Sequence, residues 1–361
     1  MKRKWSEIEA NNWYKKQGWI RGCNFISSDC VNRLDMFQNY KHEQKLLTAK
    51  KELELCKKIG FNSVRIWANF DVYYKEKDSY MEIFEKYIQL CADNDLKVMV
   101  VLTHEEDLPR GNRFKAKKMG KQNYALGEHQ GRIPLSEKQL KQEPKHYMEY
   151  KQCYDSFIEM VTAIVDKYKN DERILSWNIY NEPGITIGNR SIQILKTLFE
   201  LVRSLDPIQP LCADVFRGIN NENIVSEEEK VALELSDIIS FHSYCPYDVL
   251  VEQIRYFKKF NRPIFLTEWL HRINHNNVYE IYPLLYLNNI SNYCWGFVVG
   301  KTQTNEPWPH MWYEYEPGII TDFDFTKWQH DLFRPNYKPY DPNEIKIIEK
   351  FNALANKDIV E

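Results

Sequence analysis

Short apolar runs alternate along the whole chain with longer segments in which apolar residues recur every three to four positions. The short runs have the length of buried strands, and the longer segments have the period of helices that bury one face. Alternating strands and helices are typical of a parallel sheet joined by crossover helices. The pattern predicts strands at 19–24, 62–67, 97–103, 174–180, 210–214, 238–242, 263–267 and 292–298.

Eight strand–helix units over residues 1–361 predict a single α/β domain, a (β/α)8 or TIM barrel. Signals at the helix ends support this interpretation. Gly60 follows the first helical stripe and suits a helix C-terminus. A short acidic helix is predicted at 227–235, and Asp341 and Glu344 are the expected N-cap and capping-box residues of the last helix.

Two predicted connections, 103–146 after the third strand and 301–342 after the eighth, are longer than the usual loops of compact α/β proteins. Both follow the C-terminal end of a strand, and in a barrel such loops lie on the catalytic face. We interpret them as walls or a lid over a pocket. The alternative is that they are insertions without a function.

Composition narrows the class of ligand. The chain is 43% hydrophobic and 14% aromatic, enough for a large core, and the aromatic excess also fits stacking against sugar rings. The formal net charge is −2 without a cluster of Lys and Arg, which argues against nucleic acid or a membrane surface as partner. We therefore expect a small or neutral ligand. The oligomeric state is left open by the sequence.

Cysteine, glycine and histidine spacing argues against a bound cofactor. The eight cysteines are scattered without a CxxC pair, which favours buried thiols over disulfides or zinc. No glycine-rich phosphate loop is present, and the histidines lack metal-ligand spacing, so we expect neither a cofactor nor a metal. No apolar run has signal-peptide or membrane-spanning length, and we expect a cytoplasmic protein.

Polar residues gather where the predicted strands end. Barrel enzymes collect their catalytic groups at the C-terminal ends of several strands, so these residues are the candidates for an active site. Two glutamates on the fourth and seventh strands would face each other across a ligand. The candidates are Arg65 on strand two, Asn181 and Glu182 on strand four, His242 and Tyr244 on strand six, Glu268 on strand seven and Trp295 on strand eight.

Two facing carboxyl groups suit the cleavage of a glycosidic bond with retention, which needs them about 5 to 5.5 Å apart. Hydrogen bonds from Arg65 and Tyr244 would keep Glu268 ionised as the nucleophile. Glu182, in a more apolar and less charged setting, would keep its proton and act as acid/base. Asn181 is expected to donate to the sugar 2-hydroxyl, and Trp295 to stack beneath the ring.

Between residues 19 and 351 the chain resembles clan A of the glycoside hydrolases, especially the family 5-like cellulases and β-xylanases. The resemblance rests on Asn181-Glu182-Pro183 after strand four and Thr267-Glu268-Trp269 at strand seven. It implies that Glu182 is the acid/base and Glu268 the nucleophile. It also assigns active-site positions to Arg65, His242, Tyr244 and Trp295, and a neighbouring contact to Asn181.

Four further candidates lie in the long loops. Family 5 members usually carry a histidine near strand three, a place that His104 would fill. The segment 300–304, with Lys301 and Gln303, resembles a feature of a narrower subgroup and, with Trp308, is expected to shape substrate choice. The alternative is that these are packed aromatic residues and solvated charges.

Structural roles also remain open for the central candidates. Glu182 would fit the N-cap of the next helix, and Glu268 an exposed loop. Arg65 is equally suited to a structural ion pair, and His242 to the core.

Together these observations predict a retaining β-glycoside hydrolase that forms a covalent glycosyl-enzyme intermediate and acts on short β-linked oligosaccharides or glycosides. Exo action is expected because two long loops would close a pocket more readily than they would leave an open groove. The alternatives are an endo-β-glucanase, mannanase or xylanase, a transglycosylase with the same two glutamates, or a barrel that binds sugar without turnover.

Overall fold

The computed structural model describes residues 3–220, 223–224, 226–316, 319 and 322–358. At its centre is a closed barrel of eight parallel strands, each paired with the next along the chain, with the eighth closing on the first. This confirms the predicted (β/α)8 barrel. The strands are β1 Arg21–Asn24, β2 Ser63–Trp67, β3 Lys97–Val101, β4 Ile174–Tyr180, β5 Leu211–Val215, β6 Ile239–His242, β7 Ile264–Trp269 and β8 Ser291–Cys294.

Helices surround the barrel and connect its strands. A two-stranded hairpin, Ile219–Asn220 with Asn223–Ile224, follows β5. The helices are α1 Glu7–Gln17, α2 Arg33–Phe37, α3 His42–Lys58, α4 Phe70–Asp93, α5 Glu137–Leu140, α6 Tyr154–Tyr168, α7 Ser191–Ser204, α8 Glu227–Leu235, α9 Tyr247–Lys258, α10 Val278–Leu287, α11 Pro309–Tyr315 and α12 Pro342–Asp358. None of the helices in this described part of the chain is long and apolar enough to cross a membrane.

The two ends of the barrel interior differ in polarity. Near the N-terminal ends of the strands, an apolar cluster that includes Met99, Leu175, Phe265 and Tyr293 fills the interior, and Tyr14 of α1 packs against it. Towards the C-terminal ends the buried interior residues are polar, including Arg65, Asn178, Asp214, Ser240 and Thr267. Arg65, Asn178, Ser240 and Thr267 all donate to the Asp214 carboxylate, so this end of the barrel is built as a hydrogen-bonded network.

Four strands end at different residues from those predicted: β3 ends at Val101 instead of residue 103, β5 at Val215 instead of residue 214, and β7 and β8 differ as well. β7 continues to Trp269, so Glu268 lies within the strand rather than after it. β8 ends at Cys294 instead of residue 298. Its early end coincides with a long-range contact: Gly296 has a φ of 75°, and a Cβ there would lie 2.5 Å from Oδ1 of Asp331. Only glycine fits this turn without strain.

Three of the four predicted helix signals are confirmed. α8 matches the predicted acidic helix, Gly60 ends α3 with a φ of 84°, and Asp341 Oδ1 accepts the Asn343 N–H at 2.8 Å at the start of α12. The predicted capping-box role of Glu344 is wrong. Its carboxylate instead accepts bonds of 2.8 and 2.6 Å from the buried Arg272 guanidinium, because a full positive charge is a stronger donor than a backbone N–H.

Candidate active site

Glu182 and Glu268 meet at the C-terminal end of the barrel. One carboxylate oxygen of each, together with a ring nitrogen of His242, lie within 4.8 Å of one another. Retaining glycosidases hold their two carboxyl groups about 5 to 5.5 Å apart, and inverting enzymes about 6.5 to 9.5 Å apart. The upper limit of 4.8 Å between the two nearest carboxylate oxygens agrees with the retaining spacing and lies below the inverting range. Glu268 is 5% exposed and lies within β7, so it is not the exposed loop carboxylate of the alternative interpretation, and the Glu182 side chain is 12% exposed.

Arg65 connects the nucleophile candidate to three other strand ends. Its Nη1 donates to Glu268 Oε1 at 2.8 Å and to Asn24 Oδ1 at 2.9 Å. Its Nη2 donates to Asn181 Oδ1 at 2.7 Å and to Asp214 Oδ2 at 2.8 Å. The guanidinium is fully buried. A planar fork with several donors is what this site needs, because a lysine ammonium on a flexible stem does not match that geometry.

Asp214, at the end of β5, belongs to this network and was not among the sequence-derived candidates. Its carboxylate accepts bonds from Asn178 at 2.8 Å and from Thr267 at 3.0 Å, besides the bond from Arg65. Burial pushes the pKa of Asp214 up, but the charges of Arg65 and His242 outweigh burial and hold that pKa well below its usual range. Its position at the end of predicted strand five was the signal that would have identified it.

His242 lies between the acidic groups. Its Nδ1 is 2.8 Å from Glu182 Oε1 and 3.6 Å from Glu268 Oε2, and its Nε2 is 3.5 Å from Asp214 Oδ2. Burial disfavours the imidazolium, but the negative charges of Glu268 and Asp214 and the bonds to Asp214 and Glu182 raise the pKa of His242 to about 10. The expectation that Glu182 occupies a less charged, apolar setting is therefore wrong, because a protonated ring donates to it.

The protonation of His242 also affects the ability of the site to bind a metal. Two carboxylates and an imidazole at this spacing resemble a set of metal ligands. A histidine binds a metal only through a deprotonated ring nitrogen, however, and metal binding must then displace that proton. With the pKa of His242 raised to about 10, its Nδ1 carries a proton and serves as a donor to Glu182 at neutral pH.

Glu268 has both predicted hydrogen bonds but not the predicted low pKa. Tyr244 donates its hydroxyl to Glu268 Oε2 at 2.9 Å, and Arg65 donates to Oε1. Burial nevertheless raises the pKa of Glu268 to about 7. His242 and Arg65 lower this pKa, and the charge of Glu182 raises it further. Ionisation of the nucleophile candidate thus falls in the neutral range, because desolvation exceeds the attraction of the nearby cations.

Trp308 joins the two long loops beside Tyr244. The two rings are perpendicular with centroids 5.0 Å apart. Trp308 Nε1 donates to His129 Nε2 at 3.1 Å, and the other ring nitrogen of His129 lies 2.8 Å from the carbonyl oxygen of Glu306. This pair of contacts requires a neutral imidazole with its proton on Nδ1, in agreement with a pKa of His129 that burial lowers to about 4.

Lys301 and Gln303 hold loops together. The Gln303 side chain donates to the carbonyl oxygen of Ala125 at 2.7 Å and accepts the Gly127 N–H at 2.7 Å, which ties the loop after β8 to the loop after β3. Lys301 Nζ donates to the carbonyl oxygen of Asp29 at 2.7 Å. The side-chain polar atoms of Lys301 and Gln303, which were expected to contact substrate, thus form hydrogen bonds with backbone groups of neighbouring loops.

His104 and Trp295 line one recess of the same face. Trp295 packs perpendicular to Trp67 with ring centroids 5.4 Å apart. Burial and the charge of Arg33 lower the pKa of His104 to about 3, so this ring is neutral. His104 pairs with Asn181, and the Trp295 N–H donates to the Trp269 carbonyl oxygen, so each lies beside the chain neighbour of one glutamate. Neither has a hydrogen bond to the carboxylates among the described contacts.

Comparisons with known proteins agree with this geometry. The Cellulase (glycosyl hydrolase family 5) sequence model matches residues 25–298. Among curated proteins, none matches this sequence. Similar solved structures include a family 5 mannosidase from Rhizomucor miehei (TM-score 0.58, 12% identity, covering 95% of this chain and 94% of that one) and an endo-1,4-β-mannanase from the same organism (0.56, 13%, 94% and 95%).

A third similar structure is a GH5_18 protein from Streptomyces cattleya in complex with Manβ1-4GlcNAc (TM-score 0.58, 10% identity, covering 93% of this chain and 80% of that one). At these identities the structural likeness establishes a shared fold and nothing finer about the sugar or linkage.

Proposed function

The chain belongs to glycosyl hydrolase family 5 and is a retaining β-glycoside hydrolase, and we propose that Glu182 is its acid/base, Glu268 its nucleophile, and its action exo on short β-linked glycosides. The observation that carries the assignment is the meeting of these two carboxylates within 4.8 Å at the ends of β4 and β7. Family membership favours an enzyme over a barrel that only binds sugar, which the fold alone would allow.

The reaction has two steps. Glu268 attacks the anomeric carbon while Glu182 gives its proton to the departing glycosidic oxygen, which leaves a glycosyl ester on Glu268. Glu182, now ionised, takes a proton from water, and the resulting oxygen attacks the same carbon and releases Glu268. Arg65 and Tyr244 hold the two oxygens of Glu268, so the attacking carboxylate has a fixed direction.

Neighbouring groups fit the sugar contacts. Arg65 occupies Oδ1 of Asn181, which leaves the amide N–H groups to donate to the sugar 2-hydroxyl. Trp295 and His104 line the adjoining recess, where an aromatic face supports a sugar ring. Trp308, perpendicular to Tyr244, supplies a second aromatic surface in the loop after β8.

Exo action is supported by the bonds between the two long loops. His129 binds Trp308, and Gln303 binds Ala125 and Gly127, so the loops after β3 and β8 form one joined wall beside the carboxylates. A wall on one side of the bond to be cleaved limits how many sugar units extend past it. A joined wall favours release of terminal residues over cleavage within a polymer.

Kinetics on aryl β-glycosides test the two catalytic roles. We expect turnover of at least one of the β-mannoside, β-glucoside and β-xyloside, abolished in Glu268→Gln. Glu182→Ala should spare the 2,4-dinitrophenyl glycoside and lose the phenyl glycoside, because only a poor leaving group needs a proton. Glu172→Gln, an exposed glutamate before β4, is the control that should leave rates unchanged. Turnover unaffected by Glu268→Gln would refute the assignment.

Product analysis tests the direction of attack. Incubation with β-1,4-linked oligosaccharides and with soluble mannan, xylan and cellulose derivatives should release monosaccharide from the start, with little fall in polymer viscosity. A rapid fall in viscosity with mixed oligosaccharide products would favour the endo alternative. Longer products formed from oligosaccharides would favour transglycosylation.

A further inference from the structure

Glu105 is a buried carboxylate directly behind the loop that carries Glu182. It lies four residues beyond β3 and is 1% exposed. Its Oε1 accepts the Tyr180 hydroxyl at 2.9 Å and the Gly184 N–H at 2.6 Å. Its Oε2 accepts the N–H groups of Thr186 and Ile187 at 2.6 and 2.8 Å. Each oxygen therefore receives two hydrogen bonds, which fills the acceptor capacity of a carboxylate.

The loop held by Glu105 has a backbone conformation that is unfavourable for its residues in isolation. Glu182 has a φ of 49°, a left-handed conformation that costs free energy for any residue with a Cβ. Gly184 follows with a φ of 85°, and a Cβ at that position would lie 2.6 Å from Glu228 Oε1. Such a conformation persists only where surrounding contacts hold it, and Glu105 supplies a set of them within five residues of Glu182.

Ionised acceptors make these contacts strong. Hydrogen bonds from backbone N–H groups to a carboxylate are roughly twice as strong as bonds between neutral groups. On the other side of the loop, Arg217 donates to the carbonyl oxygen of Gly184 at 2.6 Å. Glu105 thus accepts hydrogen bonds from the N–H groups of the turn after Glu182, and Arg217 donates one to a carbonyl oxygen of the same turn. These contacts fix the turn from both sides.

We propose that Glu105 is a positioning residue that holds Glu182 where it can protonate the departing oxygen. This rests on the acid/base role proposed for Glu182. Proton transfer requires the donor within about 2.6 to 3.2 Å of the oxygen, and displacement by about 1 Å costs on the order of 100-fold in rate. Loss of the contacts at Glu105 therefore affects the steps that need a proton from Glu182 and spares the attack by Glu268.

The leaving-group dependence of Glu105→Gln tests the proposal. Glutamine keeps the shape but replaces one oxygen with an N–H₂ group that faces donors, so two of the four bonds are lost. We expect kcat/KM for the phenyl glycoside to fall about 10- to 100-fold. The 2,4-dinitrophenyl glycoside of the same sugar, whose first step needs no proton, should change less than about threefold.

A variant at another buried glutamate that accepts a backbone N–H separates positioning from general destabilisation. Glu52 is also 1% exposed and accepts the backbone N–H of Ser28 in the loop after β1. Glu52→Gln is expected to leave the ratio of the two kcat/KM values unchanged, whatever its effect on the melting temperature. Equal losses on both glycosides in Glu105→Gln would overturn the proposal, because that is the result of a purely structural role.

The outcomes also distinguish this proposal from the proposed function. If Glu182→Ala shows no leaving-group preference, the acid/base assignment fails by itself. If Glu182→Ala shows the preference and Glu105→Gln does not, only the positioning role is refuted. Should Glu105→Gln not fold, Glu105→Asp, which keeps the charge but is one methylene shorter, is measured in its place, and an unchanged ratio in that variant overturns the proposal.

Discussion

At the scale of single residues, the balance between burial and nearby charge decides the pKa of each group in the site. Glu268 has bonds from Arg65 and Tyr244, yet its pKa is raised to about 7 because its desolvation is larger than the stabilisation from nearby cations. His242 shows the reverse, since the acidic groups around it overcome burial and raise its pKa to about 10. The site therefore holds two cations among its carboxylates, the Arg65 guanidinium and the protonated His242, and Glu268 ionises near neutrality.

The pH dependence of kcat/KM follows from these two groups. As the pH falls through about 7, Glu268 takes up a proton and can no longer attack, so we expect the acid limb of kcat/KM near pH 7. In His242→Asn the loss of the cation, which lowers the pKa of Glu268, should move that limb to higher pH. The measurement is a pH profile with the 2,4-dinitrophenyl glycoside, whose first step does not depend on protonation by Glu182.

His275→Asn is the control for this profile, because His275 is a largely solvent-exposed histidine with a side chain 45% exposed. It should leave the limb in place. A wild-type limb near 4.5, the ordinary value of a glutamate, or a shift to lower pH in His242→Asn would contradict the prediction.

At the scale of elements, the two long loops act as one unit. They follow β3 and β8, and hydrogen bonds from Trp308 and Gln303 connect them. Gln303 has a φ of 48° and places its amide among backbone groups of the other loop, with bonds to Ala125 and Gly127. Loops joined in this way open together or not at all, which makes the wall of the pocket more rigid than either loop alone.

Shortening the Gln303 side chain is expected to separate the loops. Gln303→Asn keeps an amide and a residue type that tolerates positive φ, but its side chain is too short to reach Ala125. We expect faster tryptic cleavage within 110–145, a segment rich in Lys and Arg, with little change in the global melting temperature. Gln142→Asn, at an exposed position in the same segment, is the control. Equal cleavage in wild type and Gln303→Asn would refute a joined wall.

At the scale of the whole molecule, one end of the barrel provides stability and the other chemistry. The end near α1 is filled by apolar side chains such as Met99 and Phe265, whereas the opposite end contains the network around Arg65. The C-terminal helix α12 is attached to the catalytic side through the ion pair of Glu344 and Arg272. Arg272 also donates to the carbonyl oxygens of His330 and Asp331 at 2.8 Å.

Removing Glu344 is expected to destabilise the protein strongly. Its side chain is 3% exposed and that of Arg272 is 4% exposed, so Glu344→Ala leaves a buried cation without its counter-charge. Such losses cost about 3–5 kcal/mol. Glu252→Ala breaks the pair with Arg255, in which both side chains are 68% exposed, and should cost about 0–1 kcal/mol. The measurement is the free energy of unfolding in urea, and a loss below about 1 kcal/mol in Glu344→Ala would contradict the prediction.

The sequence by itself determined the number and order of the barrel strands and the placement of Glu182 and Glu268 near their C-terminal ends, because hydrophobic period, turn residues and strand ends are local properties. Strand four was predicted with its observed bounds, and α8 likewise. Where a distant contact intervened, prediction failed: β8 ends early at a glycine packed against Asp331, and Glu344 binds Arg272 instead of capping its helix.

Only the tertiary structure decided how the site is charged and held. The protonation of His242, the raised pKa of Glu268 and the membership of Asp214 depend on which charges meet, and these residues come from separate strands. The hydrogen bonds from the loop after Glu182 to Glu105 likewise join residues that are far apart in the chain. Electrostatic and hydrogen-bond energies depend on distances in space, which a sequence pattern does not contain.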